Sequence, residues 1–386
     1  MKNGSLTRRG DGAWRLTFYI DKIPVKRTVQ AKTKTEAWKK ARAIMTDADK
    51  GTLTDETRIT VGEHLTQWLE ELDLESTTTE GYERICHSHI IPALGNIRLQ
   101  KLRPAEIKSF LSKCRKEGGL RDGGALSKRS VLHIYRLLNL ALKEAVGLAL
   151  LPSNPMAGIK APAPDKSDIK VLEKSDVAKM LKAAEGKSIY TPILLAVTTG
   201  MRRGELLGLR WSDIDFLGST LKVNRALVDT KKNGLELKEP KSEAGKREIA
   251  LPAITIDELK RYRNSQAERF LKLGVRPGND DLVFLSIREN GTVGPRRPRD
   301  LTKAFTRFIT KVDVPQITLH GLRHTHITHL LMDNVPITLV SDRAGHSSVQ
   351  ITLDVYGHIF KECQEKLAKD YGQALEQALA EHERNR

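Results

Sequence analysis

The sequence predicts a multidomain, mainly α-helical protein with small β-sheets, and three observations carry that expectation. Its 386 residues exceed the size of one ordinary domain. Helix start signals and one-sided apolar spacing recur along most of the chain, while period-two alternation is confined to short runs. A proline-rich stretch from Leu151-Pro-Ser-Asn-Pro to Ala161-Pro-Ala-Pro-Asp-Lys separates one helical block from the next, with the composition of an interdomain linker.

The elements follow in chain order. Between Gly12 and Val29, Trp14, Leu16, Phe18 and Ile20 alternate with Arg15, Thr17 and Tyr19, which is strand periodicity, and Asp11-Gly12 and Asp21-Lys22 read as turns. Thr33 followed by Glu36 is a capping box that opens a helix to about Lys50. Residues 1–55 thus form a small sheet plus a helix. From 59 to 150 the pattern is helical throughout. Thr60 with Glu63 and Thr77 with Glu80 repeat the capping box, Val61, Leu65, Trp68, Leu69 and Leu72 share a face, Pro104 opens another helix, and Ser127 to Ala149 forms a long one. Residues 151–169 are the linker. The third block, 170–386, mixes helices with some sheet: helices at 177–184 and 190–199, an extended run at 220–227, a hairpin across 235–251, a loop at 291–298 and a charged amphipathic run from Lys361 onward.

Charge narrows the function classes. Lys and Arg number 65 against 48 Asp and Glu, a formal excess of +17, and a strongly basic chain expects an acidic partner such as nucleic acid. Arg15, Lys22, Lys26, Arg27, Lys32 and Lys34 stand on a unit too small for a catalytic cleft, so phosphate contacts suit them. Cys86, Cys114 and Cys363 are widely spaced and odd in number, which fits a reducing cytoplasm rather than a disulfide framework. Apolar stretches such as Leu137–Leu142 and Ile193–Val197 stop far short of the ~20 residues that span a bilayer, and no apolar signal core opens the chain.

Four segments carry chemistry. In Thr198-Thr-Gly-Met-Arg-Arg-Gly-Glu205, a helix breaker is followed by Arg202 and, three residues on, Glu205, so one helical face holds an arginine oriented by a carboxylate. Leu319-His-Gly-Leu-Arg-His-Thr-His326 places His320 and Arg323 on one turn, where imidazole and guanidinium can converge on a phosphate. Ala344-Gly-His346 and Asp354-Val-Tyr-Gly-His358 add a histidine and a tyrosine. His320, His324, His326 and His329 are close enough to raise a zinc site, but there is no HExxH, and His324 and His326 suit packing or hydrogen bonding around the tyrosine-bearing segment better.

In this order the segments resemble the tyrosine recombinases, or phage-type integrases, which share a catalytic fold with type IB topoisomerases; the resemblance covers the whole chain. It implies an α+β catalytic domain of that type at 170–386, a helical core-binding domain at 59–150 and an arm-site DNA-binding domain at 1–55. It places the catalytic set on Arg202, Lys241, His320, Arg323, His346 and Tyr356, with Glu205 in support. Lys241 lies in Glu239-Pro-Lys-Ser-Glu-Ala-Gly-Lys-Arg247, where Lys238 and Lys246 are neighbouring alternatives. Arg343-Ala344 before Gly345 departs from the leucine common in relatives, which should alter packing rather than chemistry. The implied activity is that of a DNA strand transferase, a site-specific recombinase and integrase that cleaves and rejoins double-stranded DNA through a 3′-phosphotyrosine, integrating and excising a mobile genetic element. The resemblance further implies a homo-tetramer on core and arm attachment sites in the bacterial cytoplasm, an excision factor or host DNA-bending protein as further partners, a C-terminal exchange helix, and no cofactor or metal. A DNA-binding regulator and a DNA-relaxing topoisomerase are the competing classes. Competent residue types at every matched position count against the first, and the basic N-terminal unit with the long C-terminal helix against the second.

The chemistry is coherent on physical grounds. A tyrosine hydroxyl, with a pKa near ~10, is a weak nucleophile at neutral pH. Its attack on a phosphodiester requires neutralisation of the non-bridging oxygens, which paired guanidinium groups supply where other enzymes use metals. Lys241 is the expected proton donor to the leaving 5′-oxygen, His320 the aid to proton transfer at Tyr356, and His346 a hydrogen-bond donor to the phosphoryl group.

Overall fold

A computed structural model describes residues 4–20, 23–49, 58–119, 124–164, 169–240, 243–276, 278–287 and 291–384. The chain divides into two compact units, Met1–Lys166 and Ser167–Arg386. The architecture is mainly helical with small antiparallel sheets. Among the described residues no helix is long and apolar enough to cross a membrane.

The first unit opens with the antiparallel sheet β1 (Ser5–Gly10), β2 (Ala13–Ile20) and β3 (Ile23–Gln30), in that order, followed by α1 (Lys34–Asp49). Alternation in β2 sends Trp14, Leu16 and Phe18 into an apolar cluster with Val29, Ala37 and Ala41, and Trp14 Nε1 donates to the Ala31 carbonyl at 3.0 Å. The turn expected at Asp21-Lys22 lies outside the described residues. At the start of α1 the Glu36 amide donates to Thr33 Oγ1, and the Glu36 carboxylate accepts from the Lys32 amide and from Lys40.

A second, separate apolar cluster gathers α2 (Val61–Glu71), α3 (Ser76–Ile85), a π turn at Cys86–Ile90, α4 (Ile91–Leu94), α5 (Pro104–Glu117) and α6 (Lys128–Gly147) around Leu65, Trp68, Ile90, Phe110, Leu138 and Leu142. The Thr60–Glu63 capping box forms in full. The box expected at Thr77 does not, because α3 starts at Ser76 with Glu75 as its cap, which leaves Thr77 already inside the helix. The segment expected to be a linker from 151 is not free chain over its first half. Leu151, Met156 and Ile159 are buried in the helical core, and the Tyr135 hydroxyl donates to the Ile159 carbonyl at 2.8 Å. Proline stops the helix but does not stop side chains from packing.

The second unit contains α7 (Lys174–Ala184), α8 (Tyr190–Thr199) and α9 (Arg203–Gly208), then β4 (Ile214–Asp215), β5 (Thr220–Val223), β6 (Ala226–Thr230), β7 (Gly234–Lys238) and β8 (Arg247–Ala250). These are followed by α10 (Ala253–Leu271), β9 (Leu285–Ile287), β10 (Val293–Pro295), α11 (Pro298–Ile309), α12 (Leu319–Met332), α13 (Ile337–Ala344) and α14 (Val349–Arg384). Helix α8 is buried on nearly every side, and Leu195, Leu207, Phe284, Phe305 and Leu322 are central to the core around it. The hairpin expected across 235–251 is replaced by two pairings: β7 pairs with β6, and β8 pairs with β5 in the sheet β4-β5-β8. Pro240 has no amide to continue a ladder, and the 3₁₀ turn Glu243–Gly245 redirects the chain to the other sheet. Part of the loop expected at 291–298 is β10, paired with β9.

The packed segment after α6 makes a direct prediction. Met156→Ala should destabilise the first unit by about 2–5 kcal/mol, the cost of emptying a core site, in urea unfolding followed by tryptophan fluorescence. A change within about 0.5 kcal/mol, as expected at a solvated position, would return residues 151–159 to the status of a linker.

Candidate active site

Helix α8 ends in the left-handed residue Gly200 (φ +67), and the chain leaves it to place Arg202 at the N-cap of α9. An L side chain at Gly200 would be strained by its backbone, and its Cβ would come within 2.6 Å of the His326 ring. The Glu205 carboxylate then turns back on its own helix start: Oε2 accepts the Arg202 amide at 2.9 Å and Oε1 accepts Arg202 Nη1 at 2.8 Å. A third donor arrives from β8, where Arg247 Nη2 lies 2.8 Å from Glu205 Oε2. Glu205 and Arg247 side chains are both buried, whereas the Arg202 side chain remains 42% exposed. Burial alone would raise the Glu205 pKa, but the Arg247 hydrogen bond and the charges of Arg247 and Arg202 outweigh it and hold the carboxyl below its ordinary value.

The two arginines tie α9 and β8 to the end of α13. Arg202 Nη2 donates to the Gly345 carbonyl at 2.8 Å and Arg247 Nε to the Arg343 carbonyl at 2.8 Å. Gly345 (φ +68) terminates α13, and a Cβ there would meet Arg247 Nη1 at 2.6 Å. His346 follows directly, its Nδ1 2.8 Å from the hydroxyl of the buried Thr352.

Helix α12 begins at the cap Thr318, whose hydroxyl accepts from the Gly321 amide, and carries His320 and Arg323 on its first turns. Arg323 is 3% exposed; its Nη1 donates to the Gly200 carbonyl at 2.7 Å, and its buried Nη2 has no hydrogen-bond partner among the described residues. Burial and the neighbouring Arg202 push the Arg323 pKa down to about 10, so it stays charged at neutral pH. His320 and His346 are both lowered to about 4: desolvation in the cleft leads, then His324 and Arg323 for His320, and Arg323 and Arg202 for His346. Their imidazoles are neutral at physiological pH. Tyr356, early in α14, is 1% exposed; its pKa is raised by burial and partly offset by Arg323.

The structure therefore gathers Arg202, Glu205, His320, Arg323, His346 and Tyr356 within mutual electrostatic influence. Lys241 lies outside the described residues. Lys246 is ion-paired with Glu239 at 2.9 Å, and Lys238 lies 4.0 Å from Glu236. The crowded histidines of α12 part ways. His324 Nδ1 meets the Tyr356 hydroxyl at 2.5 Å, His326 Nε2 accepts from Arg343, and His329 Nε2 meets the Leu172 carbonyl. The hydrogen bond at the tyrosine thus belongs to His324, whereas His320, expected there, stacks edge-on against the His324 ring at 4.8 Å.

Arg247 and Arg343 were not among the expected site residues. Arg343 donates to His326 and to the Thr198 and Ala250 carbonyls, bracing the ends of α8 and β8, so the Arg343-Ala344 pair contributes a polar network as well as packing. Neither arginine has a sequence signal, since Arg247 meets Glu205 42 residues away and Arg343 meets the Thr198 carbonyl 145 residues away.

In the first unit, strand pairing sorts the basic residues. Arg15 opposes Thr28 and Lys26 opposes Thr17 on the open face of the sheet, beside the exposed Tyr19. Arg27 opposes Leu16 and so lies on the helix-covered face, while Lys32 and Lys34 flank the start of α1. Lys22 lies outside the described residues.

Removing the shared carboxylate should leave buried arginine charge uncompensated. Glu205→Ala should cost about 3–5 kcal/mol in denaturant unfolding of the second unit. The wild-type contribution should be full above the ordinary carboxylate pKa of about 4.3 and lost as pH falls through the lowered native value, because protonation favours the unfolded chain. A variant as stable as wild type at pH 7 would contradict this.

Comparison with known proteins identifies the family and the fold. The Phage integrase family model matches residues 170–362, half of the chain, and the Phage integrase, N-terminal SAM-like domain model matches residues 60–114. A tyrosine recombinase XerC-like protein of Caldanaerobacter subterraneus is 27% identical over 387 aligned positions, covering 93% of this chain and 95% of that protein. Among solved structures, the Tn1549 transposon integrase in complex with transposon right end DNA superposes with a TM-score of 0.66 at 22% identity, over 80% of this chain and 100% of that one. A lambda integrase tetramer bound to a Holliday junction gives a TM-score of 0.52 at 18% identity, over 89% of this chain and 92% of that one. At these identities the two structures establish the shared fold, and together with the family models they show that this chain belongs to the phage integrase family of tyrosine recombinases.

Proposed function

We propose that the protein is a site-specific DNA recombinase, an integrase that inserts and excises a mobile genetic element through a 3′-phosphotyrosine intermediate. The observation that carries this reading is Arg323 Nη2, a buried guanidinium nitrogen beside Arg202, His346 and Tyr356 that has no hydrogen-bond partner among the described residues. Leaving a buried charged donor unpaired is costly, and a phosphoryl oxygen of bound DNA is the acceptor its chemistry suits. Arg202, held by Glu205 and the Gly345 carbonyl, supplies the second fork without needing to reorganise.

In this mechanism the two guanidinium groups neutralise the non-bridging oxygens of the scissile phosphate while the Tyr356 oxygen attacks phosphorus. The proposed tautomer of His346 has Nδ1 accepting from the Thr352 hydroxyl, 2.8 Å away, and its proton on Nε2 as a hydrogen-bond donor to the phosphoryl group. Lys241 is the proposed acid that protonates the departing 5′-oxygen. The engagement of Lys246 by Glu239 raises its pKa and favours Lys241 over that neighbour. The phosphotyrosine bond conserves the energy of the broken linkage, so a 5′-hydroxyl from another strand can reverse the step without a nucleotide cofactor.

The rest of the chain suits binding at several DNA sites. The open sheet face with Arg15 and Lys26, together with Lys22, Arg27, Lys32 and Lys34, is the proposed arm-site contact, and the block from 59 to 150 the core-site contact. Helix α14 continues to Arg384 and exposes Tyr371, Leu375 and Leu379, the stripe proposed to dock on a neighbouring subunit of a tetramer. Action on DNA places the protein in the bacterial cytoplasm, with an excision factor or host DNA-bending protein as further partners.

Tyr356→Phe should abolish covalent complex formation on a nicked suicide substrate while leaving binding nearly unchanged, since one hydroxyl is lost from an interface made mainly with phosphates. Covalent complexes are counted on a denaturing gel. Undiminished complex from the variant would exclude Tyr356 as nucleophile.

A further inference from the structure

Tyr356 is a buried member of an apolar cluster with Ile327 and Leu331 from α12 and Val340 and Ala344 from α13, and its hydroxyl meets His324 Nδ1 at 2.5 Å. Burial keeps the phenol protonated, and burial together with Arg323 keeps His324 neutral; in the tautomer that leaves Nδ1 unprotonated, the hydroxyl donates and the Nδ1 lone pair accepts. A neutral imidazole with a free lone pair at Nδ1 carries its proton on Nε2. The ring is fixed on a second side by the edge-on contact with His320, one helical turn earlier and exposed. The geometry is that of a nucleophile with its base already in hydrogen-bond reach, and the base is oriented by a third group.

We infer that His324 is the general base of the cleavage step, accepting the Tyr356 proton on Nδ1 as the phenolic oxygen bonds to phosphorus. This rests on the recombinase reading and moves the proton-accepting role at the tyrosine from His320 to the next turn of α12. The step balances. The Tyr356 O–H bond breaks as the O–P bond forms, the bond from phosphorus to the 5′-oxygen breaks, and that oxygen takes its proton from the leaving-group acid. His324 holds the tyrosine's proton as imidazolium through the covalent stage. It returns the proton to the phenolic oxygen when a 5′-hydroxyl attacks, gives its own proton back to the leaving-group acid, and rejoins the strand.

The environment explains why the tyrosine is quiet without DNA. A phenol made less acidic by burial does not surrender its proton to an imidazole made less basic by burial and Arg323. The scissile phosphate, seated between Arg202 and Arg323, brings negative charge that offsets the guanidinium field. His324 then becomes more basic as the phosphorus comes within reach. Proton transfer is thereby tied to attack rather than preceding it.

The test uses the full-length protein on a nicked suicide substrate. His324→Asn places an amide oxygen near the position of Nδ1, keeping the hydrogen bond but not the basicity. Its cleavage should be slower by about 10²–10⁴-fold, the usual worth of a general base, with DNA affinity unchanged. Incorporating 2,3-difluorotyrosine at position 356 gives a more acidic phenol that depends less on a base. The deficit of the variant relative to wild type should shrink by at least about tenfold in that background. If His324→Asn does not fold, His324→Ala with added imidazole takes its place, and the rate should rise with imidazole concentration. Cleavage at or above the wild-type rate would make His324 a latch or a packing residue, and a deficit unchanged by fluorination and by imidazole would make it structural; either result overturns the inference. Wild-type protein that forms no adduct through Tyr356 in the same assay would instead defeat the recombinase reading itself.

Discussion

Everything at the site depends on one carboxylate. Glu205 sits almost out of water between Arg202 and Arg247, and its two oxygens accept from a backbone amide and from two guanidinium groups. That arrangement fixes the first turn of α9, holds an exposed arginine fork in a single orientation, and links β8 to the helix pair that delivers His346. A buried carboxylate with three donors is stable only while all three are present, so the pieces of the cradle are interdependent.

The cost of this design is concentrated positive charge. After burial, Arg202 and Arg247 lower the pKa of Arg323, Arg247 that of Arg343, and Arg323, Arg202 and Arg247 that of His346, and Glu205 offsets this charge at Arg323. An arginine pushed down to about 10 and imidazoles pushed down to about 4 describe a pocket that disfavours any further proton. Such a field stabilises an incoming phosphate and, still more, the extra negative charge that builds on it during attack. Backbone carbonyls of Gly200 and Gly345, supplied at two left-handed helix ends, aim the guanidinium groups before any ligand arrives. Gly200 and Gly345 therefore shape the site without touching substrate.

The local parts of the site were legible in the sequence because they lie within single helical turns. Arg202 with Glu205 and His320 with Arg323 are pairs three residues apart, and a helix places such pairs together whatever the rest of the fold does. Alternation in β2 likewise told which face of the first sheet is buried. Pairing partners were not legible: period-two patterning marks 235–251 as extended but carries no information on whether β7 meets β6 or β8. Arg247 and Arg343 were invisible for the same reason, since each acts on segments far away in sequence. The sequence directs His324 to hydrogen bonding or packing around the tyrosine-bearing segment, but its bond to the Tyr356 hydroxyl itself depends on how α14 packs against α12, and the side-chain placement of Met156 and Ile159 on the helical core escaped a reading based on proline content.

The central claim is that Arg202 and Arg323, braced through Glu205 and Gly200, act by neutralising charge on the scissile phosphate. The most direct measurement compares covalent adduct formation by wild type, Arg202→Ala and Arg323→Ala on a normal phosphodiester and on a substrate whose scissile linkage is a neutral methylphosphonate. If the arginines neutralise charge, their loss should matter far less on the uncharged linkage, and the gap to wild type should close by at least about tenfold, roughly 1.4 kcal/mol of transition-state stabilisation. If both variants remain as impaired on the methylphosphonate as on the phosphodiester, the guanidinium groups serve only to hold the fold, and the account of the site is wrong.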